Sequence, residues 1–317
     1  MCSSDLPIVD EAGSPVTGLS NGPADDPPYP TATATEPLAY VQAGLDPEDV
    51  HRLPSGDWML VEEYSPSLVL VDGLSGKVKV RYVPAGVSLP SAGYPVKPIL
   101  PGILASRRPN KGLEGLAVSP DGHTAYLVVQ TPLGDESQTG KSLVNRVVRV
   151  DDADSPDSAH VGAHWLALHS PSSAYPGNKQ TKIYFNAAAW LGTDRVLLLE
   201  RGDGLMRLLA ADFSSATNLV GHPELGEDDL APEAVSTPPG YEKLGIVPAT
   251  MTEVFTSADT PEILVTPPVG AVVPGKLEGL AILDATTVAI TNDNDFGITN
   301  AADTSRIWVL RLKAALP

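Results

Sequence analysis

The chain has one cysteine, Cys2. A disulfide framework, a thiolate zinc site and a Cys-x-x-Cys redox pair are therefore excluded, while the compartment stays unassigned. Positive charge is also scarce: 21 Lys and Arg face 39 Asp and Glu, a formal net charge of −18. Such a chain repels nucleic acid and anionic lipid in the mean, which argues against a phosphate-tracking surface. Apolar runs are short. None reaches the roughly 18 residues that a membrane helix needs, and the nearest, Ile263 to Val273, is broken by Pro267 and Pro268. No charged-then-apolar signal peptide is visible. Few stretches lack Gly or Pro, because 28 Gly and 31 Pro are spread over the 317 residues. Helical bundles, coiled coils and helical solenoids are poor candidates on that ground.

Hydrophobic residues make up 42% of the chain, enough for a sizeable core. Met1-Cys2-Ser3-Ser4-Asp5-Leu6 reads as a translated sequencing adapter, so the native start, with any export signal, is expected upstream. Residues 1–40 are rich in Pro, Ala, Thr, Gly and Asp and read as a loose lead-in. Residues 41–317 are expected to form one domain. There the pattern is short apolar runs between turn residues: Trp58 to Val61, Ser67 to Val71, Lys77 to Tyr82, Tyr126 to Val129, Leu143 to Val150 and onward to Arg306–Arg311. That is the pattern of many short strands.

The strands recur in a frame. Leu113-Glu-Gly-Leu-Ala117 returns as Leu277-Glu-Gly-Leu-Ala281, each followed by a turn and a second strand. Weaker copies run from Asp46-Pro-Glu48 to Glu62 and from Phe185-Asn186 to Glu200. Oxygen-bearing side chains enter and leave each unit: Glu48 to Glu62, Asn186 to Glu200 and Glu278 to Asn292 are 14 residues apart, and Glu114 to Gln130 is 16. In an antiparallel hairpin the two positions lie at one end. Repeated up-and-down units predict an all-β fold, a β-propeller, six- or seven-bladed when intact. A β-sandwich is the alternative, and the recurring turn and acceptor spacing argues against it. The acidic, Pro-rich stretch 221–262 reads as a loop insertion.

Arg107-Arg-Pro-Asn-Lys-Gly-Leu-Glu-Gly-Leu-Ala-Val-Ser-Pro-Asp-Gly122 with Gln130-Thr-Pro-Leu133, Glu62-Glu-Tyr-Ser-Pro66, Lys276 to Ala281 and Asn292-Asp-Asn-Asp-Phe-Gly297 resemble the phytase-like propellers, the family of "esterase-like activity of phytase". The resemblance covers about residues 40–312. The departures are Glu62 where the family more often has Asp and Ser65 for its Gly; its opening blade also has no counterpart. It implies a secreted or periplasmic, calcium-dependent hydrolase of phosphate or other esters.

In a propeller the innermost strands converge on the axis, so equivalent positions meet there. Carboxylates that meet cannot all stay ionised without a cation. Calcium takes six to eight oxygens in irregular geometry, and nothing at these positions suits zinc or copper better. The expected metal ligands are Glu48, Glu62, Glu63, Glu114, Glu278, Asn292, Asp293 and Asp295, within a wider ring that includes Gln130, Asn186 and Glu200. The alternative is that these groups cap strand edges and turns. Asn292–Gly297 lacks the downstream Glu of an EF-hand and is not that motif. Arg107, Arg108 and Lys111 precede the Glu114 strand. They would bind substrate, the two arginines clamping a phosphate, or else pair with neighbouring carboxylates. His160, His164 and His169 are expected to be partly exposed rather than metal-binding. Gly18-Leu-Ser-Asn-Gly22 has no strand before it and no helix after it, so it is not a nucleophile elbow.

The expected function is a calcium-dependent hydrolase of phosphate esters acting in the axial channel. Glu114, Glu278, Arg107 and Arg108 are its expected catalytic groups, a small-molecule ester its partner, and a monomer its state. Two alternatives stay open: a non-catalytic, calcium-stabilised propeller that binds a protein or glycan, and a lactonase- or carboxylesterase-type propeller.

Overall fold

The computed structural model describes residues 7–30, 33–222, 230–258, 262–265, 276–294 and 304–317. The chain folds into four sheets in sequence order. Blade 1 contains Pro47–Arg52 (β1), Trp58–Glu62 (β2), Ser67–Val71 (β3), Val78–Pro84 (β4) and Val96–Leu100 (β5), with β5 parallel to β4 at the edge. Blade 2 contains Leu113–Val118 (β6), Ala125–Val129 (β7), Val144–Asp151 (β8) and His160–Leu168 (β9). Blade 3 contains Tyr184–Gly192 (β10), Arg195–Gly202 (β11), Leu205–Asp212 (β12) and Thr250–Thr256 (β13). Blade 4 contains Glu262–Val265 (β14), Leu277–Asp284 (β15), Thr287–Asn292 (β16) and Ile307–Arg311 (β17), in the spatial order β14-β17-β16-β15.

All strand pairings but β4–β5 are antiparallel, so each blade is an up-and-down meander apart from the outer strands β5 and β14. Strands β1, β6, β10 and β15 begin the meanders, and β6 lies against both β1 and β10 while β10 lies against β15. This is a four-bladed, propeller-like arrangement. The expected count of six or seven blades is not reached among the described residues.

The runs rich in Val and Leu form strands because branched side chains fill both faces of a sheet that is buried on both sides. Three interfaces result. Val61, Leu68 and Leu70 meet Leu113, Leu127 and Val148 between blades 1 and 2. Tyr126 and Trp165 meet Phe185, Leu198 and Phe213 between blades 2 and 3. Leu197 and Leu208 meet Val288, Trp308 and Leu310 between blades 3 and 4. Full burial of each such side chain stabilises by about 1.5–3 kcal/mol before entropy is counted.

Two segments differ from expectation. The lead-in holds no long strand or helix, yet Ile8, Val16, Ala43 and Leu45 pack with Leu60, Val69 and Val71 on the outer face of blade 1. A bridge from Val9 to Lys77 fixes its start. The stretch 221–262 is more than a loop insertion, since it contains β13, the edge of blade 3. Before β13 it carries a 3₁₀ turn, Ala231–Glu233, whose buried Glu233 takes both Nε and Nη2 of Arg146 at 2.6 and 2.8 Å.

Candidate functional site

Each innermost strand carries a β-bulge at its entry. The pairing register shifts between Pro47 and Asp49, between Leu113 and Gly115, between Phe185 and Ala187, and between Leu277 and Gly279. The bulged residues are Glu48, Glu114, Asn186 and Glu278, one per blade. A bulge re-aims a side chain and breaks the ladder locally, and here it does so at four equivalent places. Two glycines allow the strands to close in. A Cβ on Gly112 would lie 2.0 Å from the carbonyl oxygen of Glu63, and one on Gly115 would lie 3.1 Å from Ala188.

Opposite each bulge the departing strand offers two positions. Glu62, Val129, Glu200 and Asn292 pair with the residue before the bulge. Glu63, Gln130, Arg201 and Asp293 come one residue later. Gln130 therefore belongs with Glu63, not with Glu62 as its sequence spacing suggested. The turn from Ser119 to Thr124 makes the blade 2 unit longer.

The earlier of the two positions is structural. Glu62 is fully buried; it takes Nη2 of Arg81 at 2.8 Å, the amide N–H groups of Tyr64 and Ser65, and the Ser67 hydroxyl. Glu200 accepts from Ser170 N, Tyr175 OH and His169 Nδ1 at 2.8, 3.0 and 3.1 Å. Asn292 accepts from the N–H of Arg306 and donates to the carbonyl of Thr304. These groups hold blade edges together.

The bulged glutamates Glu48, Glu114 and Glu278, with Glu63 and Asp46, make up the acidic centre. One carboxylate oxygen from each of Asp46, Glu48 and Glu63 lies within 4.8 Å of the other two. Burial, reinforced by Glu63, Asp46 and Glu278, raises the Glu48 carboxyl to about 8, and a hydrogen bond with Glu114 opposes this. Glu114 is pushed well above the ordinary range by burial and then by Glu48, Glu63 and Glu278. Glu63 rises to about 7 by burial, against the pull of Lys111 and Arg107. Burial also raises Asp46 and Glu278, the latter against Arg201, whose Nη2 lies 2.9 Å away. Gln130 Oε1 and both amide atoms of Asn186 are buried without a hydrogen-bond partner. Buried groups of this kind are nearly always paired in native proteins.

Asp49 lies one layer deeper. Its carboxylate accepts the N–H of Leu116 at 2.9 Å and that of Val50 at 2.8 Å, together with the N–H of Ala188, so it links β1 to β6 and β10. Burial raises it to about 7 against those three bonds.

The donors fit a hard cation. They are all carboxylate and amide oxygens, and two oxygens bound to one calcium at 2.3–2.6 Å are at most about 5 Å apart. Asp293 lies 3.4 Å from Lys276. Asp295 lies outside the described residues.

Beside this centre is a cavity of about 730 Å³, lined by Arg107, Arg108, Lys111, Thr131, Lys182 and Tyr184 among others. The two arginines are committed to the protein. Arg107 pairs with Asp25 at 2.6 Å and donates to the Tyr64 carbonyl. Arg108 donates to Gly134 O and Thr139 Oγ1. Lys111 stands over the Tyr184 ring at 5.2 Å, and its charge reaches Glu63 and Glu114. Of the three histidines, His160 is exposed, whereas His164 and His169 are buried rather than partly exposed.

Asp46, Asp49 and Lys182 were missed in the sequence. Asp46 opens the first copy of the repeat, but it sits before Pro47 and resembles a turn cap, so it was not counted among the ligands.

The family profile for the phytase-like proteins, described as "esterase-like activity of phytase", matches residues 13–296. A search of curated proteins finds no significant match. Among solved structures, a calcium-binding protein, regucalcin, from Agrobacterium tumefaciens is 15% identical with a TM-score of 0.34, over 85% of this chain and 63% of that one. The chain thus spans under two thirds of that protein. The PQQ-bound aldose sugar dehydrogenase from Streptomyces coelicolor is 16% identical, TM-score 0.26, over 87% and 97% of the two chains. A luciferin-regenerating enzyme is 11% identical, TM-score 0.28, over 86% and 81%. With its profile match running from residue 13 into the fourth blade at residue 296, the chain belongs to the phytase-like family, "esterase-like activity of phytase".

Proposed function

We propose that the chain is a calcium-dependent ester hydrolase, with phosphate esters as the first substrates to test. The observation behind this is the cluster of Asp46, Glu48 and Glu63, within electrostatic reach of which lie two further bulged carboxylates, Glu114 and Glu278. Glu48, Glu63, Glu114 and Asp46 would hold the ion, with Gln130 and Asn186 offering neutral oxygens. Bound calcium would neutralise these carboxylates and supply a Lewis acid for an ester oxygen.

The chain's own residues have separable tasks. Glu48 and Glu114 share a hydrogen bond, and their raised proton affinity lets the ion-free centre hold protons that a bound cation would displace. Lys111 lines the cavity and its charge reaches Glu63 and Glu114, so it orients an anionic substrate. Arg107 and Arg108 shape the wall and leave the developing charge to Lys111. Arg201 keeps Glu278 in place. The same proposal places the chain outside the cytoplasm, secreted or periplasmic, as a monomer.

A second reading has its own support. The commitment of Arg107 and Arg108 to protein acceptors removes the bidentate phosphate clamp, which favours a calcium-stabilised binding propeller or an enzyme for uncharged esters. Hydrolysis of p-nitrophenyl phosphate and p-nitrophenyl acetate, with and without chelator, separates these. Calcium-dependent turnover of the phosphate that is lost in Glu114→Gln supports the first proposal. Turnover of the acetate alone supports an esterase, and no turnover by calcium-loaded protein supports binding only.

A further inference from the structure

Asp49 stands on β1 directly after the bulged Glu48. The residues in the same place after the other three bulges are Gly115, Ala187 and Gly279. Of the four equivalent positions, this one alone carries a side chain longer than a methyl group. That side chain is a carboxylate, and it reaches out of its own blade.

Both of its oxygens are used. Oδ1 accepts the N–H of Val50 at 2.8 Å, Oδ2 accepts that of Leu116 at 2.9 Å, and the N–H of Ala188 also donates to the group. Val50, Leu116 and Ala188 each lie two residues past a bulge, in blades 1, 2 and 3. The fourth N–H of the set, on Leu280, is not among its donors. In blade 4 the bulged Glu278 is held by Arg201 instead, at 2.9 Å.

These bonds cross between sheets. Strands β1, β6 and β10 belong to three separate sheets, so no ladder sets the height of one against another. Each is the inner edge of its sheet, and an edge strand leaves a row of N–H groups without a ladder partner. Apolar packing is non-directional and holds blades together without fixing such a register. A carboxylate that takes one N–H from each strand does fix it, through charge-assisted bonds that are shorter and stronger than neutral ones. The small equivalents make room for this. A Cβ on Gly115 would lie 3.1 Å from the nitrogen of Ala188, one of the three donors.

We infer that Asp49 is a positioning residue for the acidic centre. It holds the strands of Glu48, Glu114 and Asn186 at one height, so that three of the bulges open at the same level of the axis. It acts through those strands and not as a ligand, since both oxygens are taken by backbone N–H groups. This rests on the reading of the centre as a cation site and adds to that site the residue that aligns its ligands.

The test is amide hydrogen exchange of the full, chelator-stripped chain, followed by NMR, beside calcium calorimetry. In the parent, the amides of Leu116 and Ala188 should exchange more slowly than that of Leu280. In Asp49→Asn one acceptor oxygen becomes an NH2 group that faces a donor. Leu116 and Ala188 should then exchange about tenfold faster or more, as the loss of a bond to a charged group would give, and Leu280 should not change. Calcium affinity should fall about 10- to 100-fold, the usual cost of losing a group that orients metal ligands. Val148→Ala, a core change between blades 1 and 2, controls for stability alone: it should lower the melting temperature and leave calcium affinity unchanged. Loss of a nearby charge would weaken calcium without moving the two amides, so unchanged exchange at Leu116 and Ala188 in Asp49→Asn overturns the inference. Equal protection of Leu116, Ala188 and Leu280 in the parent also overturns it, and that reading needs no variant to fold. An affinity loss in Val148→Ala as large as in Asp49→Asn, or equal calcium binding in parent and Asp49→Asn, defeats the positioning role alone. Faster exchange at the two amides in a chain whose parent binds no calcium supports the alignment of the strands by Asp49 and defeats the cation reading.

Discussion

At the residue scale, the acidic centre is a set of carboxyls held where they cannot all ionise. Glu114 is buried and feels Glu48, Glu63 and Glu278. Glu114→Gln should therefore do two opposite things. It should raise the melting temperature of ion-free protein, because a buried carboxyl that costs free energy either to ionise or to keep protonated is gone, and it should weaken calcium binding by roughly tenfold or more, because charge count sets affinity in oxygen sites. Thermal melts with and without calcium check both. The pH dependence follows from the raised carboxyls, near 8 for Glu48 and 7 for Glu63. The folded state binds more protons than the unfolded one, so this contribution is fully present below the unfolded carboxyl range, about 4.3. It is lost as pH rises from there through about 8. Ion-free protein should lose stability across that window, and saturating calcium should flatten the loss; urea titrations at several pH values would show it. Little of this was legible beforehand. The residue types were visible, but Asp25 lies far from Arg107 in sequence, and only folding shows that the arginine is already paired.

At the element scale, the four entry bulges make the site. The strands themselves were legible, because runs such as Leu68-Val-Leu-Val71 and Ala125–Val129 are apolar and are followed by turn residues. The bulges were not, since one extra residue in a pairing leaves the apolar pattern intact while changing which side chain faces the axis. For the same reason Gln130 was placed with the wrong partners. Strand β13 was hidden because it alternates weakly and has Thr250, Thr252 and Glu253 exposed. Close approach of β6 to the exit of β2 depends on Gly112, where a Cβ would meet the Glu63 carbonyl at 2.0 Å. Gly112→Ala should cost about 1–3 kcal/mol, the usual range for overpacking, and should lower calcium affinity together with stability. Gly115→Ala, with contacts at 3.1 Å, should cost less. Denaturant midpoints and calcium titration of the two variants check the order.

At the scale of the whole molecule, blades 1 to 4 dock through three apolar interfaces, but their axial ends bring like charges together. The propeller-like class was legible from the repeat Leu-Glu-Gly-Leu-Ala at 113 and 277, and the packed lead-in was not, because Ile8 and Val16 anchor it singly without a period. An ion at the axis would offset the repulsion for the entire ring. Calcium at a hundredfold over its Kd should stabilise the fold by about 2.7 kcal/mol, and chelator should reverse this. The most direct measurement is calcium calorimetry on chelator-stripped protein at pH 7, in two buffers of different ionisation enthalpy, for the parent chain and Glu114→Gln. Binding is expected in the parent, with heat that depends on the buffer because protons leave Glu48 and its neighbours, and it should be markedly weaker in the variant. Absence of binding in folded protein, or equal binding in Glu114→Gln, would contradict the assignment of the bulged carboxylates to a cation.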